Sequence, residues 1–212
     1  QCDTAEVEIR DGHVMGPGGE VPFSEIGRGW YLNPDELPGD VDMGGVEVVM
    51  GYRPDPDHGT FSYATHAAVV AVDPDLGTVE VLDYVVVEDC GTMVNPMVVS
   101  GQCFGGAAQG IGTALFEESP YDDQGQPLAS TFADYMMPGP TEIPNFRLEH
   151  MITPSPHTEH GIKGMGEGGA IAPAAAIANA LRDAFAASGA EFNETPLTPA
   201  RVRAVLERAG RE

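Results

Sequence analysis

Hydrophobic positions are most sharply organised in two runs, 66–73 and 78–87, where Val, Ala, Leu and Tyr dominate. Between them Pro74-Asp75-Leu76-Gly77 reads as a turn closed by a left-handed glycine, so the pair predicts a long antiparallel hairpin. Residues 146–152 predict a further strand inside an otherwise irregular, proline-bounded stretch, and 121–126 a turn. Four-residue spacing of Ile177, Leu181 and Phe185 predicts an amphipathic helix over 173–188, with Pro173 at its start and Gly189 just past its end. Thr198-Pro199 caps a last helix whose apolar stripe is Val202, Val205, Leu206 and Ala209. The pattern is weaker over 1–60. There 5–9 alternate like a half-buried strand, Asp11-Gly12 marks a hairpin, 23–26 open a short helix, and 46–49 form a strand-like piece.

A different periodicity governs 97–118. Gly101 and Gly105, then Gly106 and Gly110, stand four apart, so a bare stripe runs up one side of a predicted helix. Such a stripe is a dimer face in a membrane, but Gln102, Gln109, Glu117 and Glu118 exclude a spanning segment. The helix must bring its backbone very close to another element or a ligand. The elements together predict an α+β fold, with twisted mixed or antiparallel sheets and helices packed on them in two layers. No internal repeat or clear linker divides the chain. It reads as one region over 1–212, with 1–60 a looser lead-in and 61–212 the core.

Charge narrows the partners. Thirty-three acidic residues against ten basic ones give a net charge of −23, a field that repels nucleic-acid phosphates and anionic membrane surfaces. Its plain use is solubility. Cys2, Cys90 and Cys103 form no C-x-x-C pair, and their odd number argues against a disulfide framework. A reduced, cytoplasmic protein is expected. No charged-then-apolar leader and no run of about 18 apolar residues is present. The chain opens on Gln1, so the expectation is a fragment or processed piece of something larger.

The most informative stretch is Gly161-Ile162-Lys163-Gly164-Met165-Gly166-Glu167-Gly168-Gly169. Glycine costs about 0.5–1 kcal/mol per residue in regular structure, so five in nine call for close backbone approach or positive φ. Glu167 has glycine on both sides, which leaves its carboxylate uncrowded and open to a bulky ligand. A functional carboxylate on a tight loop is the leading reading, with a plain helix-entry loop as the bland one. The spacing Gly164-x-Gly166-x-x-Gly169 formally matches a dinucleotide-binding loop. The context does not: a polar loop precedes it, a carboxylate sits inside it, and no strand ending in an acidic residue follows about 20 positions on. His157-x-x-His160 lies on a Pro-rich loop with no third ligand nearby and reads as solvated. His66 reads as a hydrogen-bonded strand residue. Asp89-Cys90-Gly91 with Asn95-Pro96 puts a thiol where a strand meets a loop, a position open to ligand contact or to simple burial.

In order and spacing these pieces resemble one family. Asp89-Cys90-Gly91 and Asn95-Pro96, Gly101-Gln102 through Gln109-Gly110 to Glu118, and Lys163-Gly164-Met165-Gly166-Glu167 resemble the molybdenum-cofactor-binding large subunit of the xanthine oxidase family of molybdenum hydroxylases. The Thr153-Pro154-Ser155-Pro156-His157 lead is similar to the branch with aerobic carbon monoxide dehydrogenase and related N-heterocycle and aldehyde hydroxylases. The likeness runs from Phe61 to Leu206 and is weaker before that.

The resemblance implies a molybdenum–molybdopterin dinucleotide, often the cytosine form, and a single glutamate that takes a proton so that water-derived oxygen can reach an electron-poor carbon. By motif position that base is Glu167, adjacent to the molybdenum without ligating it. Desolvation and nearby anionic ligands would raise its basicity, against the pull of a following helix N-terminus. Gln102 matches a pterin contact, Lys163 the residue four before the base, and Gly166, Cys90 and Asn95 complete the cofactor-lining set. In the family this region is roughly the last quarter of a longer subunit. The chain alone is then half a site that needs the N-terminal remainder of the molybdenum subunit, with FAD and [2Fe-2S] centres on partner subunits. The function implied is the catalytic-base half of a hydroxylase acting on an aldehyde, an N-heterocycle or carbon monoxide. The alternatives are a non-catalytic structural or assembly module of the same fold, and a stand-alone nucleotide-binding protein.

Overall fold

A computed structural model describes residues 3–41, 46–53 and 59–210, so Cys2 lies outside the described residues. The chain divides into two compact units, 1–53 and 54–212.

The first unit is a small antiparallel meander of β1 (Glu8–Arg10), β2 (His13–Gly16) and β3 (Gly19–Pro22), followed by helix α1 (Phe23–Tyr31). Asp11 and Gly12 both take positive φ, 48° and 77°, which is the primed turn that matches the twist of a two-residue hairpin. The alternation over 5–9 becomes strand only from Glu8, because Thr4–Glu6 is a 3-10 turn closed by an Asp3–Glu6 capping box. The expected strand at 46–49 does not form: Val48 and Val49 are 86% and 99% exposed, and among the described residues no neighbouring strand pairs with them. Short β-branched runs become strands only where a partner edge exists.

The second unit carries the core. Strands β4 (Tyr63–Asp73) and β5 (Thr78–Asp89) form the expected hairpin, turned by Gly77 at φ 73°. Strand β6 (Phe146–Met151) lies parallel to β5 on its other edge, so the sheet is mixed, in the order β4-β5-β6. Tyr84, Val86 and Glu88 alternate along β5 toward the buried face. Helix α2 (Pro96–Leu115) meets them with Cys103, Ala107, Ile111 and Ala114, steps of four, four and three residues that keep one stripe inward. Helix α3 (Pro173–Ala184) adds Ile177 and Leu181, and α4 (Pro199–Ala209) adds Val202, all fully buried. Each such aliphatic side chain contributes about 1.5–3 kcal/mol by leaving water.

Caps set the helix ends. Asn95 Oδ1 accepts from the amides of Met97 and Val98 before Pro96 starts α2, and Thr198 Oγ1 accepts from Arg201 before Pro199 starts α4. Helix α2 stops at Leu115, short of the expected 118. Glu117 and Glu118 are instead drawn to partners outside the helix, the Tyr135 hydroxyl and the Arg201 guanidinium. Helix α3 likewise ends at Ala184, and 186–188 follow as a 3-10 turn before left-handed Gly189. Among the described residues no helix is long and apolar enough to cross a membrane.

Candidate active site

The end of β5, the start of α2 and the glycine loop converge, and the glycines explain how. Gly91 takes φ 68°, and a Cβ there would sit 2.3 Å from the Gly161 carbonyl oxygen. That close approach lets the Gly161 carbonyl accept from both Thr92 and Ser155, while Lys163 N–H donates to the Cys90 carbonyl. The loop is thereby stitched to the strand end. Further on, the backbone turn Gly168–Ala170 lies directly on α2. A Cβ on Gly169 would come within 2.4 Å of the Cys103 carbonyl oxygen, and one on Gly106 within 2.8 Å of the Ala170 nitrogen.

The glycine stripe of α2 therefore splits in two. Gly106 and Gly110 are packed, the latter against the Pro173 ring, whereas a Cβ at Gly101 or Gly105 would meet nothing within 4 Å. The sequence expectation of one uniformly tight face is corrected: Gly105 and Gly106 are neighbours and so about 100° apart around the helix, and the two rows face different surroundings.

Two adjoining clefts open where these elements meet. One, of about 600 Å³, is lined by Gln102, Gly105, Gln109, Gly166, Glu167 and Ile171. The other, of about 450 Å³ and more apolar, includes Cys90, Met93, Asn95, Lys163, Gln102 and Gly166 in its lining. Every residue nominated from sequence lines one or both. Gln102 and Gly166 belong to both, and they are bonded: Gln102 Nε2 donates to the Gly166 carbonyl at 3.0 Å.

Glu167 sits at the lip of the first cleft, exposed, with the small turn Gly168–Ala170 behind it. The desolvation expected from sequence is not provided by this chain. Lys163 behaves otherwise. Its side chain is 8% exposed, and its ammonium lies 3.2 Å from Asp89 Oδ1 and 4.9 Å from the Tyr63 ring centroid. Asp89 is fully buried and also accepts from the Gly91 amide and the Tyr63 hydroxyl. Burial by itself pushes the Asp89 carboxyl up, but hydrogen bonds from Thr153, Gly91 and Lys163 outweigh it and hold the group well below the usual carboxylate range.

The two described cysteines are buried thiols beside Glu88. Burial, then the Glu88 hydrogen bond and charge, push Cys103 up to about 12. Burial and the same carboxylate raise Cys90. Neither is poised as a thiolate nucleophile. His66 Nδ1 pairs with the Tyr84 hydroxyl at 2.9 Å, the strand role expected of it. His160 pairs with Glu159 on an exposed turn. Among the described residues no group of three or more His, Cys, Asp or Glu side chains could hold a metal ion.

Sequence reasoning missed Asp89 as the partner of Lys163, and the buried Glu88 with it. The available signal was two consecutive acids at the end of an apolar strand, of which the alternation sends one to each face.

Comparison with known proteins gives this site its context. Residues 1–144 match the family model described as the molybdopterin cofactor-binding domain. The large subunit of nicotine 6-hydroxylase from Paenarthrobacter nicotinovorans is 36% identical over 93% of this chain. The carbon monoxide dehydrogenase large chain of Hydrogenophaga pseudoflava is 35% identical over 74% of it. Among solved structures, quinoline 2-oxidoreductase from Pseudomonas putida 86 superposes with a TM-score of 0.82 at 38% identity over 97% of this chain. The Cu,Mo-CO dehydrogenase superposes with a TM-score of 0.81 at 28% identity. The chain belongs to the molybdopterin cofactor-binding domain family of the molybdenum hydroxylases. It spans about a fifth to a quarter of the length of these relatives, 19% of the Hydrogenophaga large chain, 24% of the nicotine enzyme subunit and 26% of the quinoline enzyme chain.

Proposed function

We propose that this chain supplies the catalytic base and one wall of the cofactor site in a molybdenum hydroxylase. The observation that carries the reading is the placement of Glu167: an uncrowded carboxylate at the lip of a cleft, on a loop pinned to α2 through Gln102 and Gly166.

The cleft suits a molybdopterin group in its donor chemistry. Gly101, Gly105 and Gly164 leave open space where side chains would stand, so a large planar group can approach the backbone. Glu167 and Lys163 are the charged residues of the two linings, and the Lys163 ammonium is committed to Asp89. An anionic cofactor would therefore be held by neutral donors, the Gln102 and Gln109 amides and backbone N–H groups, which is how an acidic chain can accept one. Cys90 and Asn95 wall the second cleft, where a cytosine dinucleotide extension would lie. When bound, the cofactor would supply the two-electron acceptor and the water-derived oxygen for oxidising a small aldehyde, N-heterocycle or carbon monoxide.

The chain's own contribution is a proton acceptor and its placement. Glu167 takes a proton during oxygen transfer, and Gly166 and Gly168 keep other side chains away from that carboxylate. The Gln102 bond fixes how far the loop stands from α2. The upstream remainder of the subunit closes the site and removes water from Glu167, and FAD and [2Fe-2S] subunits carry the electrons away. The assembled protein works in the cytoplasm.

Co-expression with the upstream remainder tests this. Elemental and nucleotide analysis of the purified subunit should find stoichiometric molybdenum with a cytosine nucleotide, whereas the 212-residue chain purified alone should hold neither. An assembled subunit without molybdenum, or an isolated chain that retains it, contradicts the reading.

A further inference from the structure

Below the glycine loop lies a polar cluster that the proposed chemistry does not use. Glu88 is 1% exposed at the end of β5. Parallel pairing of β5 with β6 sets Glu88 opposite His150, and their side chains meet, Oε2 to Nδ1, at 3.1 Å. The other His150 nitrogen lies 3.2 Å from Ser100 Oγ on α2, and the Cys103 thiol donates to the same Glu88 Oε2 at 3.3 Å. One carboxylate oxygen thus ties together β5, β6 and α2.

The other oxygen does not share in this. Glu88 Oε1 is buried and has no hydrogen-bond partner among the described residues. It faces the loop, 3.8 Å from where a Cβ of Gly168 would stand, and Gly168 is the residue after Glu167. The neighbouring Gly169 rests on the backbone of Cys103, the residue whose thiol Glu88 holds. A buried carboxylate oxygen left unpaired carries the full cost of its lost hydration. Such a group persists where the surrounding structure gains from its position.

We infer that Glu88 is a positioning residue for the glycine loop: its free oxygen sets the height of Gly168, and through it the placement of Glu167 against Gln102. This rests on the reading of Glu167 as the base. His150 and Ser100 hold the Glu88 carboxylate in the orientation that presents that oxygen. A Cβ at 168 would stand in ordinary van der Waals contact with Glu88 Oε1, so nothing but that oxygen and the Met165 side chain lies within 4 Å beneath the loop at this point.

The test compares amide spectra of the full 212-residue chain carrying Glu88→Gln or Glu88→Ala. Glutamine has the shape of glutamate. It can turn its carbonyl to the His150 and Cys103 donors, which places an NH2 group where the unpaired oxygen faces Gly168. The expected result is a shift of the Gly166, Gly168 and Gly169 amide resonances and of the Gln102 side-chain amide pair, with α4 resonances and melting temperature unchanged. Glu88→Ala should enlarge the same shifts. If the alanine variant does not fold, the shape-preserving glutamine variant decides alone. A packing role is filled equally well by glutamine, so loop resonances that stay in place, or shifts confined to His150 and Cys103, overturn the inference. Turnover does not enter this readout, so its failure is separate from a failure of the base assignment, which Glu167→Gln addresses.

Discussion

Gln102 and Gly166, 64 residues apart in sequence, are joined by a 3.0 Å hydrogen bond from the glutamine side-chain amide to the glycine carbonyl. This one bond ties α2 to the loop at the residue just before Glu167. Replacing Gln102 with Leu should change the melting temperature little, because both partners are exposed and such a bond is worth about 0.5–1.5 kcal/mol. Molybdenum content of the assembled subunit should fall clearly. Gln102→Glu, which turns an acidic oxygen on the carbonyl, should be worse than Leu. Full cofactor content in both variants would show that the bond does not shape the site.

Asp89 and Lys163 make a second, buried link between strand end and loop. Removing one partner strands the other charge away from water, a loss of about 3–5 kcal/mol. Asp89→Asn should therefore lower stability in urea at neutral pH by that order. The Asp89 pKa is depressed on folding. Its stabilisation is present above the ordinary carboxylate value of 3.8 and lost as pH falls through and below it. The native chain should weaken along that acid limb, and the Asn variant should show a flatter one. Parallel acid limbs in the two proteins would remove Asp89 from the account.

Adjacent glycines on α2 should respond in opposite ways. Gly106→Ala drives a methyl group into the Gly169–Ala170 backbone and should cost about 1–3 kcal/mol, read as a lower melting temperature. Gly105→Val projects into open space, so stability should hold while cofactor content of the assembled subunit drops. Equal melting temperatures for the native chain and Gly106→Ala would mean that the helix and loop are less tightly packed than the backbone positions show.

Much of this fold is legible in the sequence because it is local. The 66–87 hairpin turned at left-handed Gly77, the helix capped at Thr198-Pro199 and the helix that ends before Gly189 each follow from turn chemistry and periodicity within a few residues. The failures are non-local. Val48 and Val49 look like strand, but among the described residues no partner edge reaches them. Glu117 and Glu118 leave the helix for Tyr135 and Arg201, which lie 18 and 83 residues away. Nothing near Lys163 announces that its ammonium turns inward to Asp89, 74 residues earlier. The glycine stripe was visible as a pattern, but which of its two rows is packed depends on where the Gly168–Ala170 turn settles. Glu167 stands out in the sequence for a local reason, its flanking glycines, whereas Gln102 stands out only through motif order.

The central claim is that Glu167 is the base, and one comparison bears on it most directly: turnover per bound molybdenum in the assembled enzyme with Glu167→Gln against the native enzyme. Glutamine keeps the shape of glutamate but cannot take a proton. Unchanged molybdenum content with turnover reduced by at least about 100-fold, the usual scale for a general base, is the predicted result. Near-normal turnover at full molybdenum occupancy would contradict the account and leave the loop a purely structural wall of the site.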